Sequence, residues 1–236
     1  MMKNLPLLFL GIFFTLAFSW VGIILTTQLQ MKDLQPATDQ LTDIEGNPIA
    51  GPTFTDPQTG ERVMGLNTDG VTPNPQPLVG SAQRGKLVYE RMGCLYCHSQ
   101  QVRRKGFGSD FERGWGNRQS VARDYIEQDR VLLGTSRTGP DLTNVGVRYS
   151  ELWQYQHLYN PQITSPGSTM PPFAFLFEVR EISDTLGPSS EAIDIPAEFH
   201  PGEGLEVIPT RRAKDLVVYM LSLQQDYELP EMKFSN

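Results

Sequence analysis

Two cysteines and three histidines are all that 236 residues offer for thiol or imidazole chemistry. Both cysteines fall within one five-residue stretch, so no thiol is left for any other role. The histidines (His98, His157 and His200) are widely spaced and form no close H-x-H pair, which argues against a zinc site completed by His157 and His200. Positive charge is also short: Lys and Arg total 20 against 27 Asp and Glu, a net charge of −7. No nucleic-acid partner is expected from that balance. No internal repeat is visible, strand-period alternation does not dominate, and a long apolar run occurs once, at the N-terminus.

The two cysteines are the informative presence. Cys94-Leu95-Tyr96-Cys97-His98 reads C-x-x-C-H, the attachment signature of c-type haem. Two thiols three residues apart on one helical turn both reach the edge of a porphyrin and can bond its vinyl groups. The adjoining His98 then presents its imidazole to the iron. A thioredoxin-like redox pair needs a surrounding βαβ pattern, whereas Arg84 to Gln100 reads as helix. The expected cofactor is one covalent haem c.

The apolar run, Leu5 to Thr26, carries no charge. At ~1.5 Å per residue it covers ~30 Å, the thickness of a bilayer core. A signal peptide would have a shorter apolar region and a small-x-small cleavage site; here the run continues into Thr27-Gln28-Leu29-Gln30. The reading is a retained single-pass anchor over residues 1–30. Lys3 before the span places the N-terminus in the cytoplasm, although Lys32 beyond it weakens that rule. Haem attachment outside the bacterial cytoplasmic membrane places the bulk of the chain in the periplasm. Gly11, Thr15, Ser19 and Gly22 form a small-residue stripe, which reads either as the face of a partner helix or as residues simply tolerated in a membrane span.

Residues 31–80 are rich in Pro, Gly, Thr, Asp and Asn and read as an extended linker. A short hairpin is expected within Thr53 to Met64, turning at Gln58-Thr59-Gly60. The folded unit is placed at 81–227, followed by a tail at 228–236. Ser81 is the expected N-cap of its first helix, with Gly85, Val88 and Tyr89 facing inward. A helix is expected over Ser150 to Tyr159. Another, capped by Thr210, carries Leu216, Tyr219, Met220 and Leu223 on one apolar stripe. The fold class is mainly α, a helical domain with long loops moulded on haem.

The charge is uneven. Arg84 to Arg148 holds 12 basic and 7 acidic residues, and Tyr149 to the end holds 5 and 13. Arg103, Arg104, Lys105, Arg118, Arg123 and Arg130 are candidates to neutralise haem propionates or dock a partner, against the plainer reading of a solvated face.

The second iron ligand decides function. A thioether raises the reduction potential, a second imidazole lowers it, and an open position admits gas or peroxide. Met170 is the best candidate, because the loop Gly167-Ser168-Thr169-Met170-Pro171-Pro172 is stiffened by two prolines. Met220 reads as core, and His157 and His200 are the alternatives. In the turn Thr138-Gly139-Pro140-Asp141-Leu142, the Pro140 carbonyl is a candidate acceptor for the His98 Nδ1–H; a plain turn is the competing reading.

The combination Cys94-Leu95-Tyr96-Cys97-His98, Gly139-Pro140-Asp141-Leu142 and Met170-Pro171 resembles class I cytochromes c. That resemblance implies thioether bonds at Cys94 and Cys97, His98 and Met170 as axial ligands, and Pro140 as the partner of His98. It also implies a crossing of the first and last helices, with Gly85 near Tyr219. The longer stretches Gly93 to Gln100, Gly134 to Tyr149, His157 to Pro161 and Ser168 to Pro171 resemble the membrane-anchored mono-haem subunit II of cbb3-type cytochrome c oxidases.

The implied function is electron relay from a donor cytochrome to a haem-copper catalytic subunit that reduces oxygen, alongside other cytochrome c subunits. Alternatives are a tethered carrier for another respiratory complex, or a haem sensor or peroxidase with an open sixth position. Arg103 to Arg118, an acidic insertion at about 177–207, and the long 32–80 segment depart from the family pattern.

Overall fold

The computed structural model describes residues 4–40, 54–55, 62–64, 71–183, 187–227, 229 and 231. The chain divides into two units, Met1–Pro36 and Ala37–Asn236. The first is one continuous helix, Leu5–Met31, of 27 residues, long and apolar enough to cross a membrane. Its α-helical parts, α1 (Leu5–Ser19) and α2 (Thr26–Met31), flank a π-helical stretch, Trp20–Leu25. There the Thr26 hydroxyl donates to the Val21 carbonyl at 2.7 Å, five residues back, and Thr27 donates to the Ile24 carbonyl at 2.9 Å. The threonines thus satisfy carbonyls inside the apolar run itself.

In the second unit, β1 (Ala37–Gln40) pairs antiparallel with β4 (Val71–Asn74), and β2 (Phe54–Thr55) with β3 (Arg62–Met64). The expected hairpin is therefore present; its turn at residues 58–60 lies outside the described residues. The stretch read as linker carries paired strands at both of its ends.

Helix α3 (Gly80–Arg91) is followed by α4 (Val145–Arg148), α5 (Glu151–Tyr159) and α6 (Arg211–Ser222). The Ser81 expectation is corrected: Val79 is the N-cap, and Ser81 sits inside the helix with its hydroxyl accepting from Arg84 Nη2 at 2.6 Å. The helix also ends earlier than expected. Gly93, at φ +75°, stops it, and Cys94–Tyr96 forms a separate 3-10 turn. Thr210 does cap α6, accepting from the Ala213 N–H at 3.4 Å. Ser150 likewise caps α5, accepting from Trp153 N–H.

α3 crosses α6 where Gly85 leaves no side chain: a Cβ there would run into the Asp215 carbonyl and the Tyr219 Cβ. Tyr89 and Tyr219 meet edge to face at 5.5 Å, and Arg84 grips Asp215 with two hydrogen bonds of 3.1 Å. Leu216, Val217 and Tyr219 are at most 1% exposed. Burying an aliphatic side chain of this kind contributes roughly 1.5–3 kcal/mol.

The acidic stretch read as an insertion is bounded by two paired strands. β5 (Phe177–Glu181) and β6 (Leu205–Pro209) pair antiparallel across it. The buried Glu206 accepts the Ser189 N–H at 2.8 Å and pairs with Arg180. Packing also continues past residue 227: Leu229 is buried, and Glu231 pairs with Arg123 at 2.7 Å.

Candidate functional site

A cleft of about 480 Å³ opens among α3, α4, α5, α6 and the loops that follow α3 and α5. Cys94, Cys97, His98, Pro140 and Met170 all line it, and His157 does as well. Cys94 and Cys97 bracket the 3-10 turn, whose three residues per turn bring side chains at i and i+3 over one another. The Cys97 N–H bonds the Cys94 carbonyl at 3.1 Å and the His98 N–H bonds it at 3.0 Å. Both thiols and the imidazole therefore leave one tight turn on the same side of the chain.

His98 Nδ1 lies 2.7 Å from the Pro140 carbonyl. Gly139 makes this approach possible, because a Cβ there would clash with the imidazole at its Cε1 edge. The segments run side by side through two further bonds, Gly139 N–H to the Cys97 carbonyl at 2.9 Å and Leu142 N–H to the Ser99 carbonyl at 2.8 Å. Burial holds the His98 pKa down, partly opposed by the Pro140 carbonyl and by Asp141. The neutral imidazole so favoured is the form that binds a metal. Burial also pushes the Cys94 thiol up to about 11. A thiol that stays protonated is ill suited to disulfide exchange.

Met170 is half-buried against the core. Its loop is bracketed by Gln162, which donates to the Ser168 carbonyl at 2.6 Å and accepts the Gly167 N–H at 2.7 Å. The Phe173 N–H closes the far side on the Leu158 carbonyl at 2.8 Å. His157 is held differently. Its Nδ1 meets the Thr164 hydroxyl at 2.6 Å, and its ring stacks on Trp153 at 4.6 Å, which in turn stacks on Tyr149 at 3.7 Å. Burial and the neighbouring His98 bring its pKa down to about 4. His200 does not line the cleft, and Met220, read as core, is buried and lines it too.

None of Arg103, Arg104, Lys105, Arg118, Arg123 and Arg130 lines the cleft. Arg118 is not on a solvated face either: it is 4% exposed and paired at 2.6 Å with the fully buried Asp124. The basic residue at the cleft is Arg148, which spacing alone did not single out. Its Nε is buried and without a hydrogen-bond partner, as is Nε2 of the 3%-exposed Gln154, another cleft residue. Buried donors of this kind are normally satisfied. In the cleft they are free to donate to acceptor atoms of a bound molecule, such as the carboxylates of a porphyrin, while Arg148 Nη2 is held by the Asp141 carbonyl at 3.1 Å. Apolar and aromatic walls, two thiols, the His98 imidazole, a thioether and the unpartnered donors of Tyr89, Arg148 and Gln154 fit a haem.

The profile of the family described as cytochrome C oxidase, mono-heme subunit/FixO matches residues 69–196, over half of the chain. The chain belongs to this family. It is thereby a mono-haem subunit of the cbb3 type, as the motif resemblance implies. Mono-haem oxidase subunits of the FixO family carry one haem, and the matched stretch contains Cys94, Cys97, His98, Pro140 and Met170. The family also implies association with a cytochrome c oxidase complex. In this FixO-family chain the match stops short of β6 and α6, although α6 supplies Leu216 and Met220 to the cleft. Among curated proteins the chain has no match.

Proposed function

We propose that this subunit is an electron relay carrying one covalently attached haem c, joined through thioethers at Cys94 and Cys97 and ligated by His98 and Met170. The observation that carries the reading is the convergence of those four side chains on a single cleft. Bound there, haem supplies a one-electron iron couple whose potential a thioether ligand raises. The remaining work belongs to the chain. Pro140 orients the imidazole and raises its basicity through Nδ1–H. Arg148 and Gln154 receive the carboxylates. The Gln162-bracketed loop keeps the Met170 sulfur in register, whereas His157 is committed to Thr164 and Trp153. The aromatic stack and the buried face of α6 keep water from the cofactor, which limits the reorganisation that accompanies electron transfer.

In this reading the N-terminal helix anchors the subunit in the bacterial inner membrane, with the N-terminus cytoplasmic and the haem domain (81–227) periplasmic. Electrons pass from a donor cytochrome towards a haem-copper catalytic subunit. The subunit itself makes and breaks no substrate bond.

Intact mass and reduced-minus-oxidised absorbance of the purified complex test this. The expected mass is the chain plus one haem, with neither thiol open to alkylation and, in the isolated ferrous subunit, negligible carbon monoxide uptake. A bare mass with two reactive thiols would overturn covalent attachment. Rapid, tight carbon monoxide uptake at this haem would overturn Met170 ligation and favour an open sixth position.

A further inference from the structure

Next to the His98–Pro140 contact, among residues that do not line the cleft, lies a buried polar array that the haem reading does not use. Asp141, fully buried, accepts the Ser99 hydroxyl at 2.6 Å, the Gln101 N–H at 2.9 Å and the Thr143 N–H at 2.9 Å. Arg137 donates from Nε to the same Ser99 hydroxyl at 2.8 Å and from Nη1 to Asp110 at 2.6 Å. Asp110, 1% exposed, is also gripped by Arg103 at 2.8 Å. Ser99 adjoins His98, and Asp141 adjoins Pro140. The Ser99 hydroxyl is therefore a clasp between the segment that carries the imidazole and the segment that carries its acceptor.

We infer that Ser99, Arg137 and Asp110 are positioning residues that set the His98–Pro140 hydrogen bond, and through it the reduction potential of the site. The inference rests on the haem reading above. Two backbone bonds, from Gly139 N–H to the Cys97 carbonyl and from Leu142 N–H to the Ser99 carbonyl, already hold the segments together. The Ser99–Asp141 clasp adds a side-chain tie between the residue after His98 and the residue after Pro140, next to the Nδ1-to-carbonyl contact on both segments. Arg137 holds the clasp by donating to the Ser99 oxygen, which turns the hydroxyl hydrogen towards Asp141, and Asp110 holds Arg137 by a charge-assisted pair inside the protein. The array runs back into the Gly- and Arg-rich loop 103–118 through Arg103 and Asp110, and gives that loop a role. A looser Nδ1–H···O contact makes the imidazole less electron-donating, which favours the ferrous state.

The test uses the full chain in detergent with haem attached, in the variants Ser99→Ala, Ser99→Thr and Arg137→Lys. All three preserve net charge, so a shift in potential does not report a lost charge. Potentiometric titration should show a higher midpoint for Ser99→Ala and Arg137→Lys. Ser99→Thr, which keeps the hydroxyl, should stay near the parent. The g-values of the ferric haem should move in the same two variants. Midpoints and g-values identical to the parent at full haem content would overturn the inference while leaving the relay intact. Loss of haem from both Ser99→Ala and Arg137→Lys would overturn it too, because the array would then be structural only. A parent chain that carries no haem brings down the relay reading itself, and this inference with it.

Discussion

Gly139 does in one residue what a larger side chain would forbid: it lets the turn before Pro140 lie against the His98 ring. A methyl group there has nowhere to go, because the ring is fixed by Pro140 on one edge and by the Cys97–Gly139 backbone bond beside it. Gly139→Ala is expected to cost about 1–3 kcal/mol from overpacking, measured by chemical denaturation. In the haem-bearing protein it should also displace the imidazole and raise the high-spin ferric fraction, seen by electron paramagnetic resonance. An unshifted spectrum would mean that the ring does not sit where the turn places it. Gln154 and Arg148 belong to the same scale. Their unpartnered nitrogens are defined by what surrounds them, and the letters Q and R carry no sign of it.

The elements are joined by buried ion pairs as well as by the α3–α6 core. Asp124, at the end of the chain's central loops, accepts two bonds from Arg118, one from the Tyr227 hydroxyl at 2.8 Å and one from the Val121 N–H at 2.8 Å. It thereby ties residues 118–124 to the segment after α6. Removing the carboxylate strands a buried guanidinium, so Asp124→Ala should destabilise by about 3–5 kcal/mol, read as a lowered denaturation midpoint. Asp110 gives a pH signature. Burial pushes its carboxyl up, but the Arg103 and Arg137 guanidiniums outweigh that and hold it at about 2. A carboxyl depressed when folded contributes fully above its unfolded value of about 4, and that contribution fades as pH falls towards 2. Acid unfolding followed by circular dichroism should therefore steepen across that window. Asp110→Asn should be less stable at neutral pH and show a flatter acid limb.

For the whole molecule, one apolar helix of 27 residues, about 40 Å at ~1.5 Å per residue, exceeds the ~30 Å bilayer core. Deleting residues 5–31 should release the chain into the aqueous fraction after an alkaline wash that leaves the full chain in the membrane. Retention of the shortened chain would point to a second membrane contact.

The sequence by itself determined the features that depend on near neighbours. C-x-x-C-H, the uncharged N-terminal run, the Thr210 cap, the stripe of α6 and the Pro-stiffened Met170 loop are all patterns over a few residues, and local geometry follows from local spacing. Helix boundaries near glycine were less legible: a left-handed Gly93 ended α3 early, and the helix began at Gly80, which puts the Ser81 hydroxyl inside it against Arg84. What only the tertiary structure decided is which charges are buried and with whom. Arg118 finds Tyr227 109 residues away, Ser99 finds Asp141 across 42, and Arg148 turns to the cleft while its basic neighbours in sequence do not. A charged side chain enters a protein interior only when partners offset its desolvation, and those partners are brought by the fold from distant parts of the chain.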